Sequence, residues 1–259
     1  MLNRALFYRP QLPSGGFHPI GSLGGLLKAW WDADTGVADV PGVSTDWTDR
    51  VAGIVASATL TACPTVSATS FNGRKGLTFD GVANCLVSTS ISALPNGAAP
   101  GEIYVLFDDT NAGSGTSYLV NYGGVATAQD RAMQTTGAAR SFRISDRTTN
   151  LTVTNIFALG KHVAQGSWSG TEEQARIDGY QTRPSQAVIA TLATGTTRLR
   201  IGAINSSSAS SFFTGVIRHV MVTATLLQRQ RQQLEAWLAH DGGISHVLPS
   251  GHPYRSRRP

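Results

Sequence analysis

Four glutamates, Glu102, Glu172, Glu173 and Glu235, are all that this 259-residue chain has. Glycoside cleavage by paired carboxyls needs two of them flanking one bond. Glu172 and Glu173 are adjacent, so on a strand they point to opposite faces, and Glu235 falls in a helical stretch. There is no Glu-x-Asp-x-Glu strand. Asp32 and Asp34 would share a strand face, but no acid partner follows them. A serine nucleophile would want a Gly-x-Ser-x-Gly elbow, and none is present. Cys63 precedes Pro64, and Cys85 has no His partner nearby in sequence. The six histidines (18, 162, 219, 240, 246 and 252) lack metal-ligand spacing. His219 alternates with apolar residues and reads as a satisfied, half-buried side chain. The sequence therefore predicts no catalysis.

Binding chemistry has more to work with. Asp108, Asp109 and Asn111 follow a strand and supply oxygens of the kind Ca²⁺ collects six to eight at a time. The same residues also make an ordinary solvated turn, and Asp80-Gly81 makes a tight one. No cofactor is expected, and Ca²⁺ is the one metal the cluster would suit. Tyr118, Tyr122 and Trp168 lie among polar residues, where flat rings could stack on pyranose faces. Trp30 and Trp31 straddle the two faces of a strand, while Trp47 and Trp237 read as packing residues. Cys63 and Cys85 form no C-x-x-C pair, leaving buried free thiols or one disulfide.

The elements that would position these groups are strands. Only 14% of the residues are charged, against about a quarter in typical domains. The formal charge is +5, with Arg255, Arg257 and Arg258 crowded at the end. Elsewhere the arginines are scattered, not set in a stripe interleaved with aromatics, which argues against nucleic acid. No apolar run has signal-peptide or membrane-span length. The expectation is a protein made in the cytoplasm with no membrane insertion.

Residues 1–26 read as an arm, too dense in Pro and Gly for a regular element. It is studded with Leu6, Phe7, Tyr8, Phe17 and Ile20, which are unusual in a solvated tail. Residues 27–243 read as short strands between Gly, Asn, Asp and Ser turns. Leu77-Thr-Phe79 alternates. Glu102 to Phe107 and Val216 to Val222 are apolar on both faces, and Leu199 to Ala203 alternates with Arg198 and Arg200 pointing out. One helix is expected from about Leu226 to Ala239, with Leu227, Leu234, Leu238 and Trp237 on the packed side, Thr225 as a possible cap and Gly242 as its stop. Residues 244–259 form a basic tail. The fold class is all-β: a two-sheet antiparallel jelly-roll sandwich with one C-terminal helix.

Several segments, in order, resemble the concanavalin A-like lectin and glucanase superfamily in its laminin-G-like form. They are Ala29-Trp-Trp-Asp-Ala-Asp34, Val43-Ser-Thr-Asp-Trp-Thr-Asp49, Asn72-Gly-Arg-Lys-Gly-Leu-Thr-Phe-Asp-Gly81, Arg198-Leu-Arg-Ile-Gly-Ala203, Phe213 to Val222, the helix, and Leu248 to Tyr254. Ile177-Asp-Gly-Tyr180 stands where relatives carry Asn-Gly in a hairpin, and Asp-Gly serves the same turn. The resemblance covers about residues 27–254. Domains with this layout and a short arm are frequent in phage particles. The resemblance thus implies a non-enzymatic virion protein, a decoration, fibre or spike component. It would dock on other virion proteins through Leu6, Phe7, Tyr8, Phe17, Ile20 and the terminal arginines, as a homo-oligomer. The alternative is an adhesin reading host surface glycans through Asp108, Asp109, Asn111, Tyr118, Tyr122 and Trp168; a glycan-cleaving enzyme is the weaker one.

Overall fold

The computed structural model describes residues 16–40, 44–59, 62–111, 113, 115–137, 141–147, 150–153, 158–169, 172–181, 186–187, 192–204 and 209–259. Leu6, Phe7 and Tyr8 lie outside the described residues. In chain order the elements are α1 (Pro19–Leu23), β1 (Leu27–Asp32), β2 (Val37–Val40), β3 (Ser44–Thr48), β4 (Val55–Thr59), β5 (Thr65–Phe71), β6 (Arg74–Asp80), β7 (Leu86–Ser88), β8 (Gly101–Asp109) and β9 (Thr116–Gly123). There follow β10 (Asp130–Thr136), β11 (Ser141–Ser145), β12 (Asn150–Val153), β13 (Gly160–Trp168), β14 (Glu172–Ile177), β15 (Tyr180–Gln181), β16 (Gln186–Ala187), β17 (Arg198–Ile201), β18 (Thr214–Thr223) and α2 (Gln228–Asp241).

Every named strand pairing is antiparallel. The first sheet runs β15-β14-β13-β8-β18-β6-β5, with β1 also on β18 and β16 on β14; the second runs β12-β11-β10-β9-β17-β7-β4-β3-β2. This is the expected sandwich with one C-terminal helix. Two hairpins turn on Asx-Gly pairs. Asn72-Gly73 joins β5 to β6 and Asp178-Gly179 joins β14 to β15, all four residues at positive φ, as the tight primed turn requires.

Two apolar cores result. Between the sheets lie Trp31, Trp47, Leu77, Phe79, Ile103, Val105, Phe107, Met133, Phe142, Ile144, Leu199 and Ile217, among others. The second core covers the outer face of the first sheet: Trp30, Tyr104, Leu106 and Met221 meet Leu234 and Leu238 of α2. So β8 is buried on both faces, as its unbroken apolar run predicts.

Several local expectations are corrected. Residues 19–23 do form a helical turn, started by Pro19 at its first position, where the missing N–H costs nothing. Phe17 and Leu23 belong to the second core, and the Phe17 N–H donates to the Pro259 carbonyl at 2.8 Å. The protein's own helix and sheet cover Phe17. Ile20 is exposed. The tail is likewise seated, with Ile244 and Leu248 in that core and Arg255 donating to the His246 carbonyl; Arg257 and Arg258 are exposed. In α2 the cap position is Leu227, with no side-chain cap bond. Gln230 instead accepts from the Leu227 N–H at 3.0 Å. Leu227 is 74% exposed, so it is not part of the packed stripe. Gly243, not Gly242, adopts the left-handed conformation after the helix.

Charges on the outer side of the first sheet are paired. Arg218 bonds Asp241 and Asp34, Arg74 reaches the same two carboxylates, and Arg50 bonds Asp32. His219 is fully buried, more than the sequence predicts. The Trp30 indole N–H can only donate, so Nδ1 of His219 accepts from it at 3.3 Å and Nε2 donates to Asp241 at 2.9 Å. Burial alone would push the Asp241 carboxyl up. The His219 hydrogen bond and the Arg218 guanidinium outweigh that and hold it well below the usual carboxylate range.

Candidate functional site

The outer face of the second sheet is built differently. In its central strands Val120, Tyr122, Met133, Phe142, Ile144, Leu199 and Ile201 turn inward to the core. The two-residue period then turns Asn121, Asp130, Ala132, Gln134, Arg143, Ser145, Arg198 and Arg200 outward. Arg200 stands opposite Asn121, Asn121 opposite Ala132, and Ala132 opposite Ser145. One step along, Tyr118 stands opposite Gln134 and Gln134 opposite Arg143. The register shifts at Met133/Gln134, and both Leu119 and Val120 face the core. This bulge re-aims the residue before it: without it Tyr118 would point inward.

These outward side chains are deeply set. Asn121 is 0% exposed, Asp130 1%, Gln134 2% and Arg200 7%. Among the described residues five of their atoms have no hydrogen-bond partner: Asn121 Oδ1, Asp130 Oδ1, Gln134 Oε1, Arg143 Nε and Arg200 Nε. Each such group costs about 1–3 kcal/mol, and native structures keep them few. Among the described residues, other unpaired atoms fall in the core between the sheets, as the indole nitrogens of Trp31, Trp47 and Trp168 do, and beside α2 and the tail, as Gln165 Oε1, Thr223 Oγ1, Arg231 Nε, Glu235 Oε2 and His252 Nε2 do.

What pairing exists on this face leaves donors and acceptors to spare. Asp130 Oδ2 accepts from Arg147 at 2.8 Å and from Asn121 at 3.3 Å. Burial raises the Asp130 carboxyl to about 7 despite Arg147. Arg143 Nη2 donates to Thr116 Oγ1 at 3.2 Å, and Arg200 Nη1 to the Ile204 carbonyl at 2.8 Å. Burial lowers Arg200. It raises the Tyr118 hydroxyl, with the nearby Asp130 adding to the effect. A half-buried ring beside amides, a carboxyl and guanidiniums suits a polar ligand with hydroxyls and a flat face.

Of the six residues expected to bind a ligand, the structure brings only Tyr118 to this surface. Tyr122 and Trp168 are 1% exposed in the core between the sheets, because their strand positions fall on the inward phase; Trp168 borders a separate cleft of about 160 Å³ with Glu102, Glu172 and Arg231. Asp109 is buried, and its Oδ1 accepts from the Asn111 N–H at 2.8 Å. Asn111 bonds Ser117 Oγ and the Gly113 N–H. It lines a separate cleft of about 420 Å³ with Thr116, Ser211 and Phe212. Asp108 faces another, of about 550 Å³, with Lys161, His162 and His246. The Asp108–Asn111 cluster is thus divided by strand alternation. Among the described residues no three His, Cys, Asp or Glu side chains converge as a metal site. Cys63 and Cys85 are free thiols.

Sequence reasoning missed Asn121, Asp130, Gln134 and Arg143 and read Arg200 only as outward-pointing. The available signal was a polar residue at every second position of Ser141 to Ser145 and of Arg198 to Ile201. What it lacked was the strand order that aligns them.

No family model matches the chain, and no curated protein does. Solved structures do match. Trypanosoma rangeli sialidase in complex with sialic acid is 15% identical with a TM-score of 0.61, over 83% of this chain and 33% of that one. Domain 4 of AbnA, a GH43 extracellular arabinanase from Geobacillus stearothermophilus, in complex with arabinotriose, is 10% identical with a TM-score of 0.55, over 79% of this chain and 95% of that one. The chain spans about a third of the sialidases' length. At these identities the likeness is one of fold: a β-sandwich shared with glycoside hydrolase chains. It corrects the expectation that the chain is not an enzyme. The matching chains include named sialidases, so a missing Glu-x-Asp-x-Glu strand or serine elbow excludes nothing in this fold.

Proposed function

We propose that this chain recognises glycans on the outer face of its second sheet, through Tyr118, Asn121, Asp130, Gln134, Arg143 and Arg200. The observation that carries the reading is the row of buried, unpaired polar atoms on a face turned away from both cores. A sugar offers hydroxyls as paired donors and acceptors, which is what such a row lacks, and a ring face for Tyr118. The match to nearly the whole of an arabinanase domain held with arabinotriose supports the same reading.

The test is calorimetric titration of the full chain with neutral and acidic oligosaccharides, with each mixture also followed for cleavage. Asn121→Ala and Gln134→Ala should each weaken binding by about tenfold or more; Arg229→Ala, on the exposed side of α2, should not. Binding that survives both substitutions, or no binding to any oligosaccharide, sinks the proposal. Attachment to a phage particle is a separate proposal resting on the sequence resemblance. It is checked by whether the chain co-purifies with particles.

A further inference from the structure

We infer that the glycan bound on this face carries fixed negative charge, its carboxylates or sulfates being held by Arg143 and Arg200. The inference rests on the proposed glycan site and adds the chemical class of its ligand. Its basis is an imbalance of charge. Arg218, Arg74, Arg50 and Arg176 each have a carboxylate partner, and on this face Arg147 has Asp130. Among the described residues Arg143 and Arg200 make no ion pair. Their described partners, a threonine hydroxyl and a backbone carbonyl, are neutral. A guanidinium out of bulk water is costly without a counter-charge, and each keeps Nε buried and unbonded.

The Nε and Nη edge of a guanidinium is a donor pair matched to two oxygens of one oxyanion. Arg143 is on β11 and Arg200 on β17, three strand spacings apart in the order β11-β10-β9-β17, so about 14 Å between backbones. Gln134, Tyr118 and Asn121 fill the gap. A ligand lying across the strands would meet an oxyanion site at each side and neutral contacts between. That describes a segment of acidic polysaccharide. Arg198 lies on the same face and adds positive charge, while Asp130 is committed to Arg147.

The experiment compares ligands on the wild-type chain, so it does not depend on a variant folding. The probes are a galacturonate tetramer, its carboxyl-reduced neutral counterpart and a sulfated galactan tetramer. At least one charged tetramer should bind about tenfold or more tighter than the neutral one. That preference should shrink as NaCl rises from about 0.05 to about 0.5 M. The better charged probe decides between carboxylate and sulfate. Arg143→Met and Arg200→Met should each weaken the better charged tetramer by a larger factor than the neutral one, so that the preference shrinks towards one; an equal loss on both would overturn the inference. Equal binding of neutral and charged tetramers overturns the inference and leaves the glycan site standing; binding of none overturns both. A single-stranded oligonucleotide that binds tighter than every sugar and loses affinity in the Arg143→Met chain also overturns it, in favour of a nucleic-acid face.

Discussion

The two sheets present their outer faces to opposite fates. On the first sheet α2, Phe17 and the C-terminal tail cover the face with a second apolar core. The polar groups beside that core close on one another: Arg218 with Asp34 and Asp241, His219 with Trp30 and Asp241. On the second sheet no helix covers the central strands among the described residues. Polar side chains are buried there to the same depth, and both faces keep unpaired atoms, Gln165 and Thr223 among them on the first; what differs is that Arg143 and Arg200 of the second sheet make no ion pair among the described residues, while Arg218, Arg74, Arg50 and Arg176 each have a carboxylate. A guanidinium out of bulk water is costly without a counter-charge, so a domain built for stability alone would pair these two arginines as it pairs the others. The difference is the one expected if the first face serves folding and the second is the proposed glycan site.

The comparison can be broken at its strongest point first. Asp241→Ala leaves Arg218 and His219 without their shared carboxylate and should cost about 3–5 kcal/mol, read from urea unfolding. A loss under about 1 kcal/mol would mean the network on the first sheet is ornamental.

Asp130 tests the other face through pH. Its folded carboxyl sits near 7, above the unfolded value near 3.9, so between these values the folded state holds the extra proton. Its contribution is therefore fully present below about pH 4 and is lost as pH rises through 7. Asp130→Asn, neutral throughout, should gain on the wild type by about 3 kcal/mol between pH 4 and pH 8. A pH-independent difference would show that Asp130 ionises normally.

Phe17→Ala should cost about 3 kcal/mol, and a chain lacking residues 1–26 should be less stable still. An unchanged urea midpoint would return Phe17 to the role of an external anchor. The smallest expected effect has the opposite sign: Gln134→Leu should be neutral or stabilising by up to about 1 kcal/mol while oligosaccharide binding is lost. Destabilisation beyond that would mean Gln134 has a structural partner.

Much of the fold is legible in the sequence because it depends on short-range pattern. The doubly apolar run of Glu102 to Phe107, the Asp178-Gly179 turn and the helix with Leu234 and Leu238 each state their role within a few residues. Tyr118, Tyr122 and Trp168 show where that legibility stops. All three sit among polar neighbours, but one bulge turns Tyr118 outward while alternation sends Tyr122 inward, and a bulge depends on the partner strand. Arg200 is written 57 positions after Arg143, yet the strand order places them on one face with Asn121 and Gln134 between. The sequence by itself determined the class of fold, its turns, its single long helix and the inward and outward phase of strands such as Leu199 to Ala203. Only the tertiary structure decided which outward residues share a surface, which charges find partners and which polar atoms stay unpaired. Phase is set by local stereochemistry, whereas sheet order and partner choice are set by contacts between segments far apart in the chain.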